Sequence, residues 1–156
     1  MKKLLLLLFT LLTIISCSKS DNGTENSSSS NLIGKWKLIS RNGVAISSCE
    51  AQYPFLILNS NNIGTEGEAR LMPNGSCIDD SRDIQFSVTG NELFVKEINT
   101  NPSNYIFETK RTIVSNNGSI LKLKIFNVRQ SGPGGQVTDD AISIANQQEY
   151  LYNKVN

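Results

Sequence analysis

No histidine occurs anywhere in the chain. That removes at once the usual general base of serine and cysteine hydrolases and the commonest metal ligand. An excess of one charge is missing too. Fifteen Lys and Arg stand against 14 Asp and Glu, with no basic run, which argues against nucleic acid as a partner. No apolar stretch reaches the roughly 20 residues of a membrane-spanning helix. No glycine loop precedes a helix as a phosphate cradle would, and beyond Leu32 no helical stripe of apolar residues can be drawn. Cysteine is scarce, at three, so each one needs its own account.

The N-terminus is the most informative stretch. Met1-Lys2-Lys3 precedes an apolar run from Leu4 to Ile15, broken only by Thr10 and Thr13 and followed at once by polar residues. A basic start before a short apolar run reads as a secretory signal. Its end, Ile14-Ile15-Ser16-Cys17, resembles the bacterial lipobox. That resemblance implies that residues 1–16 are removed and that the Cys17 thiol takes a diacylglycerol. The new amine then receives a further acyl chain such as palmitate. Each buried CH₂ adds about 0.8 kcal/mol, so several chains hold a protein to a bilayer where one does so only marginally. The alternative is an ordinary signal peptide whose cleavage site happens to contain Cys17. A lipoprotein of this kind sits in the cell envelope, most naturally at the outer membrane, on its periplasmic or surface face. The one Ser-x-x-Lys match, Ser16 to Lys19, is destroyed by the same cleavage.

With Lys2 and Lys3 gone, 13 basic residues face 14 acidic ones, a formal charge of −1. The remaining 140 residues suffice for one domain with a core. Once Cys17 is lipidated, Cys49 and Cys77 are left as a pair in an oxidising compartment, which reads as a disulfide. Two free thiols are the alternative. A zinc site is weaker, because the chain offers only these two thiols and no histidine.

Residues 18–31 contain no apolar side chain. With nothing to bury, the segment 17–31 is expected to be a flexible, lipidated tether. Ser20-Asp21 resembles, faintly, the surface-export signal of Bacteroidetes-type lipoproteins. Asn-x-Ser/Thr triplets at Asn22, Asn26, Asn74 and Asn117 suit chance in an Asn- and Ser-rich chain.

From residue 32 to 156 the pattern is short β-like runs between turn residues. Strands are expected near 33–41, 53–59, 65–72, 82–89, 92–98, 104–115, 119–128 and 147–155. The breaks between them carry Asn42-Gly43, Asn61-Asn62, Pro73-Asn74-Gly75, Gly90-Asn91, Asn116-Asn117-Gly118 and Gly132-Pro133-Gly134-Gly135. This is an all-β domain, an antiparallel up-and-down barrel of about eight strands or a sandwich. Alternation puts Ile84, Phe86 and Val88 on one face, and Leu121, Leu123 and Ile125 likewise. A two-residue loop at Asn117-Gly118 would turn Lys110 and Glu108 inward. A three-residue loop, with Gly118 left-handed, turns Ile113, Arg111, Thr109 and Phe107 inward and buries more apolar surface.

Leu32-Ile33-Gly34-Lys35-Trp36-Lys37-Leu38 resembles the Gly-x-Trp opening of lipocalins, which fatty-acid-binding proteins share in similar form. The resemblance implies that Trp36 closes the bottom of a barrel and that the interior takes a small apolar or amphipathic ligand. Short lipocalin-like lipoproteins often pair such an opening with two mid-chain cysteines, as Cys49 and Cys77 stand here. An arginine late in the barrel packs over the tryptophan in lipocalins, and Arg129 is a partial counterpart.

Two functions follow. In the first, Arg111, Trp36 and Phe107 line a ligand cavity, with Arg111 pairing a ligand carboxylate. Against that stands an arginine at the barrel mouth whose stem packs while its head reaches water. In the second, the barrel is filled and acts as an envelope interaction or inhibitor module through the 129–140 loop and the Cys49/Cys77 end. No catalytic constellation, cofactor or metal is called for. The carboxylates Glu66/Glu68 and Asp79/Asp80/Asp83 read as solvated, although paired acids can hydrolyse glycosides or bind calcium. A monomer is expected, partnered by the membrane through Cys17.

Overall fold

Period-two alternation of apolar and polar residues runs through most of the chain beyond Leu32, and it folds as a closed sheet. A computed structural model describes residues 29–98, 106–131 and 136–156. The proposed signal, Cys17, most of the proposed tether, residues 99–105 with the start of the strand expected at 104–115, and residues 132–135 lie outside the described residues. A single helical turn, α1 (Ser29–Leu32), leads into β1 (Gly34–Arg41), β2 (Val44–Ala45), β3 (Phe55–Leu58) and β4 (Ile63–Glu66). β5 (Ala69–Leu71), β6 (Cys77–Asp79), β7 (Arg82–Thr89) and β8 (Glu92–Glu97) follow. The chain ends with β9 (Phe107–Asn116), β10 (Ile120–Ser131), β11 (Val137–Ala141) and β12 (Glu149–Val155). No helix among the described residues is long and apolar enough to cross a membrane.

Eight strands close the barrel in chain order: β1, β3, β4, β7, β8, β9, β10 and β12, which returns to pair with β1. Every ladder is antiparallel. The expected fold class is therefore the observed one, and it is consistent with a lipocalin-like barrel. Two details differ from the expected strands. The run expected at 65–72 divides into β4 in the wall and β5, which pairs with β6 in a separate hairpin. The expected 129–140 loop is instead the end of β10 paired with β11.

The turns follow their chemistry. Asn42 and Gly43 both have positive φ, 51° and 75°, in the tight link from β1 to β2. Three residues, 117–119, link β9 to β10, with Gly118 at φ 83°. Leu121 nonetheless pairs with Asn116, one step from the register expected of a three-residue loop. A bulge between Lys122 and Leu123 then brings Leu123 opposite Ile113 and Ile125 opposite Arg111. Ile113, Arg111 and Thr109 are accordingly buried.

The core fills the lower barrel. Trp36, Leu56, Leu58, Leu93, Leu121 and Leu123 are wholly buried, as is Leu32 from the helical turn. Removing a large aliphatic side chain here would cost about 2–5 kcal/mol. Leu32 fastens α1 to the barrel: its side chain is drawn into the core, and its carbonyl accepts a 2.7 Å bond from Trp36 Nε1. The cation over the Trp36 ring is Lys154, 5.1 Å from the centroid. Arg129, the partial counterpart suggested by sequence, instead pairs with Glu108 on the outer wall. β12 runs antiparallel to β1, so its last turn, and not the end of β10, lies beside Gly34 and Trp36. Gly34 sits at φ 138°, and a Cβ there would come within 2.8 Å of Lys154 Cε.

Candidate functional site

The end of the barrel away from Trp36 is built differently. Strand parity turns Tyr150 and Tyr152 of β12 inward together with Leu38 of β1. Parity alone would turn Arg41 outward. A bulge between Leu38 and Ser40 shifts the register so that Arg41 pairs with Tyr150, and a bulge of this kind re-aims the side chains that follow it. Arg41 thus joins the inner face. Its guanidinium lies over the Tyr150 ring at 5.2 Å, and its Nη1 forms an ion pair with Glu50 Oε1 at 2.8 Å.

Deeper in, Arg111 of β9 meets Glu66 of β4. The two guanidinium nitrogens donate to the two carboxylate oxygens at 2.7 and 2.8 Å, and Nε donates to Thr109 Oγ1 at 2.9 Å. Burial works against the charge on Arg111, but the Glu66 carboxylate outweighs it and raises the guanidinium's pKa. Burial would likewise raise the Glu66 pKa; the charge and hydrogen bonds of Arg111 win and hold it below the ordinary carboxylate range. Tyr152 is pushed up, mainly by burial and then by the nearby Glu66.

Glu66 corrects the reading of Glu66/Glu68 as a solvated face. β4 places Gly64 and Glu66 inward and exposes Ile63, so its hydrophobic pattern points the wrong way. One signal was available: an arginine inside a barrel requires a partner, because an unpaired buried charge is prohibitive.

Around the rim, Arg82 pairs with Glu68 and, at 3.3 Å, with Glu97, while stacking over Phe107 at 5.1 Å. The disulfide joins Cys49 to Cys77, with Cα atoms 5.5 Å apart, and ties the β5–β6 hairpin to the turn that carries Glu50. Gly67 lets the chain cross the rim. A Cβ there would lie 2.4 Å from the Tyr53 carbonyl oxygen and 2.8 Å from the Phe55 nitrogen.

These groups enclose a small open cavity of about 110 Å³. Arg111 and Phe107, both proposed from sequence, line it; Trp36 does not, being sealed in the core at the other end. Sequence reasoning missed Arg41, Glu66, Tyr150 and Tyr152. A larger open groove of about 300 Å³ lies outside the wall between Phe94, Glu108, Lys110, Arg129 and Asp139. There Glu108 is held by Arg129 and Lys96, and Asp139 by Asn127. Among the described residues no three His, Cys, Asp or Glu side chains gather as a metal cage.

Compared with protein-family models, curated proteins and solved structures, the chain matches none.

Proposed function

We propose that this chain is a lipid-anchored, lipocalin-like binding protein of the cell envelope, most naturally at the outer membrane. In this reading the barrel mouth seats one small amphipathic group of its ligand. The observation that carries this reading is the mouth cavity, where the rings of Tyr150 and Phe107 lie under the guanidinium groups of Arg41 and Arg82 and beside Glu66 and Glu68. Its volume sets the scale. Whole-ligand pockets run to roughly 300–1,000 Å³, so a cavity of about 110 Å³ suits a fragment or a headgroup and not an enclosed fatty chain. Because Glu66 already occupies the fork of Arg111, a ligand carboxylate on Arg111 would have to replace it.

The anchor is proposed on Ile14-Ile15-Ser16-Cys17. The tether joins the barrel at its Trp36 end, through Leu32 and Gly34. That geometry supports a protein whose closed floor is nearest the membrane and whose mouth is presented outward. The reading is of a binder, not an enzyme: the mouth carboxylate Glu66 is locked in an ion pair with a depressed pKa, a poor state for an acid catalyst.

The filled lower barrel favours a second reading, an interaction module that works through its rim. One experiment separates the two. The mature chain is screened by NMR against small amphipathic fragments and, in parallel, used to capture envelope proteins. Fragments that shift Tyr150 and Phe107 signals support the first reading. Silence at the mouth, with specific capture of a protein, supports the second.

A further inference from the structure

No basic run occurs in the sequence, yet the fold gathers lysines at one end of the barrel. Lys35 and Lys37 of β1, Lys122 of β10 and Lys154 of β12 lie toward the floor ends of three neighbouring strands. Lys35 and Lys37 are exposed on the outer wall, and Lys154 caps Trp36. The turns at that end, 59–62, 90–91 and 117–119, carry no charged residue. Among the described residues the one acid there is Glu92, at the start of β8 on the opposite side of the barrel. The other described acids lie in the mouth connections or toward the mouth ends of their strands.

Ion pairing follows the same division. Each described arginine is paired with an acid. Lys35, Lys37 and Lys154 form no ion pair with a described residue, and Lys122 shares Glu149 with Lys124. A one-sign patch of this kind attracts opposite charge from outside the chain, whatever the net charge of the whole. On the same wall, at the floor end of β10, Ile120 is exposed. The described chain enters the barrel at this end, through Leu32 and Gly34. The stretch from Cys17 to Ser29 spans at most about 40 Å when fully extended.

Resting on the reading of the chain as lipid-anchored, we infer that the floor and the adjoining β10–β12–β1 wall form a docking surface for anionic lipid headgroups of the membrane that holds the anchor. Each lysine near an anionic leaflet adds to the attraction, which falls off within a Debye length. Ile120 supplies apolar contact at the headgroup boundary. The anchor keeps the barrel close to the bilayer; the lysine patch orients it, with the floor toward the lipid and the mouth away.

The test uses the mature, oxidised chain carrying Cys17→Ser, so that no acyl chain contributes. It is sedimented with vesicles of phosphatidylcholine alone, or of phosphatidylcholine and phosphatidylglycerol in equal parts, and offered immobilised polyglutamate in parallel. Binding to the anionic vesicles alone is expected, weakening as salt rises. Lys35→Gln with Lys37→Gln is expected to weaken it about tenfold. Arg70→Glu makes the same change in net charge on the β5–β6 hairpin at the mouth and is expected to leave binding unchanged. Circular dichroism and the disulfide mass establish that each variant is folded. Lys37→Gln alone keeps the test open should loss of the Lys35 cation over Phe55 disturb the wall. Equal weakening by the floor and mouth variants assigns binding to net charge and overturns the patch. Capture by polyglutamate without binding to vesicles overturns the lipid assignment in favour of an acidic protein. Binding to neither overturns the docking surface outright, while palmitate labelling at Cys17 decides the anchor independently.

Discussion

Arg111 on β9 and Glu66 on β4 face each other across the barrel interior, joined by two parallel hydrogen bonds of 2.7 and 2.8 Å. The residues are 45 positions apart in sequence. Their pairing closes the floor of the mouth cavity and separates it from the apolar core around Trp36.

Breaking that pair should be costly. Glu66→Gln leaves the guanidinium, whose side chain is only 3% exposed, without its counter-charge. The expected loss is about 2–3 kcal/mol, below the value for a fully buried pair because the Glu66 side chain keeps some contact with water. Urea unfolding of the variant measures it. An unchanged midpoint would show that the pair is not held as described.

The same pair predicts a pH dependence. Glu66 has its pKa lowered from 4.5 on folding, so its stabilisation is fully present above the unfolded value. It is lost as pH falls through the folded one. Unfolding free energy should therefore be flat above about pH 5.5 on this account and decline in more acidic solution. The decline should be shallower in Glu66→Gln, and parallel acid profiles for the two proteins would refute the assignment. Arg111, with its pKa raised, stays charged throughout and adds no slope.

Cys49 and Cys77 are 28 residues apart, so their bridge removes a loop of intermediate size from the unfolded ensemble. Chain-entropy arguments give about 3–4 kcal/mol for its loss. Replacing both cysteines by serine should lower stability by that order and loosen the β5–β6 hairpin first. Hydrogen exchange at residues 69–79 reads this directly. Uniform protection across the two proteins would mean that the bridge does not hold the rim.

Gly34→Ala should destabilise the barrel floor by about 1–3 kcal/mol, because φ 138° is a region that L-residues avoid. Shortening the neighbouring side chain with Lys154→Ala removes the steric contact but not the backbone strain. The double variant should accordingly remain destabilised. Full recovery in thermal melts would mean that crowding, and not φ, sets the requirement for glycine.

Cys17→Ser should abolish incorporation of labelled palmitate and move the protein from the detergent phase to the aqueous phase. Continued labelling of that variant would contradict the lipobox reading of residues 14–17.

Local chemistry was enough for the class and order of the barrel. Period-two alternation assigns each strand an inner face, and turn residues such as Gly90-Asn91 mark where strands reverse, because these signals depend only on near neighbours. The inward Arg111 was expected from the loop at Gly118, but in the structure its parity with Leu123 and Ile125 is set by the bulge between Lys122 and Leu123. What lies opposite Arg111 depended on closure of the sheet. β4 carries its only large apolar residue outward, so nothing in its own pattern shows Glu66 facing in. Arg41 was hidden for another reason: a bulge is an event between two strands, and a single strand read alone does not contain it. The cation over Trp36 depended similarly on which strand returns to β1, and that strand brings Lys154. The sequence by itself thus determined most strands, their inner faces and the turns between them. Tertiary structure decided the partners of those groups and the shape of the mouth, because both arise from contacts between residues far apart in the chain.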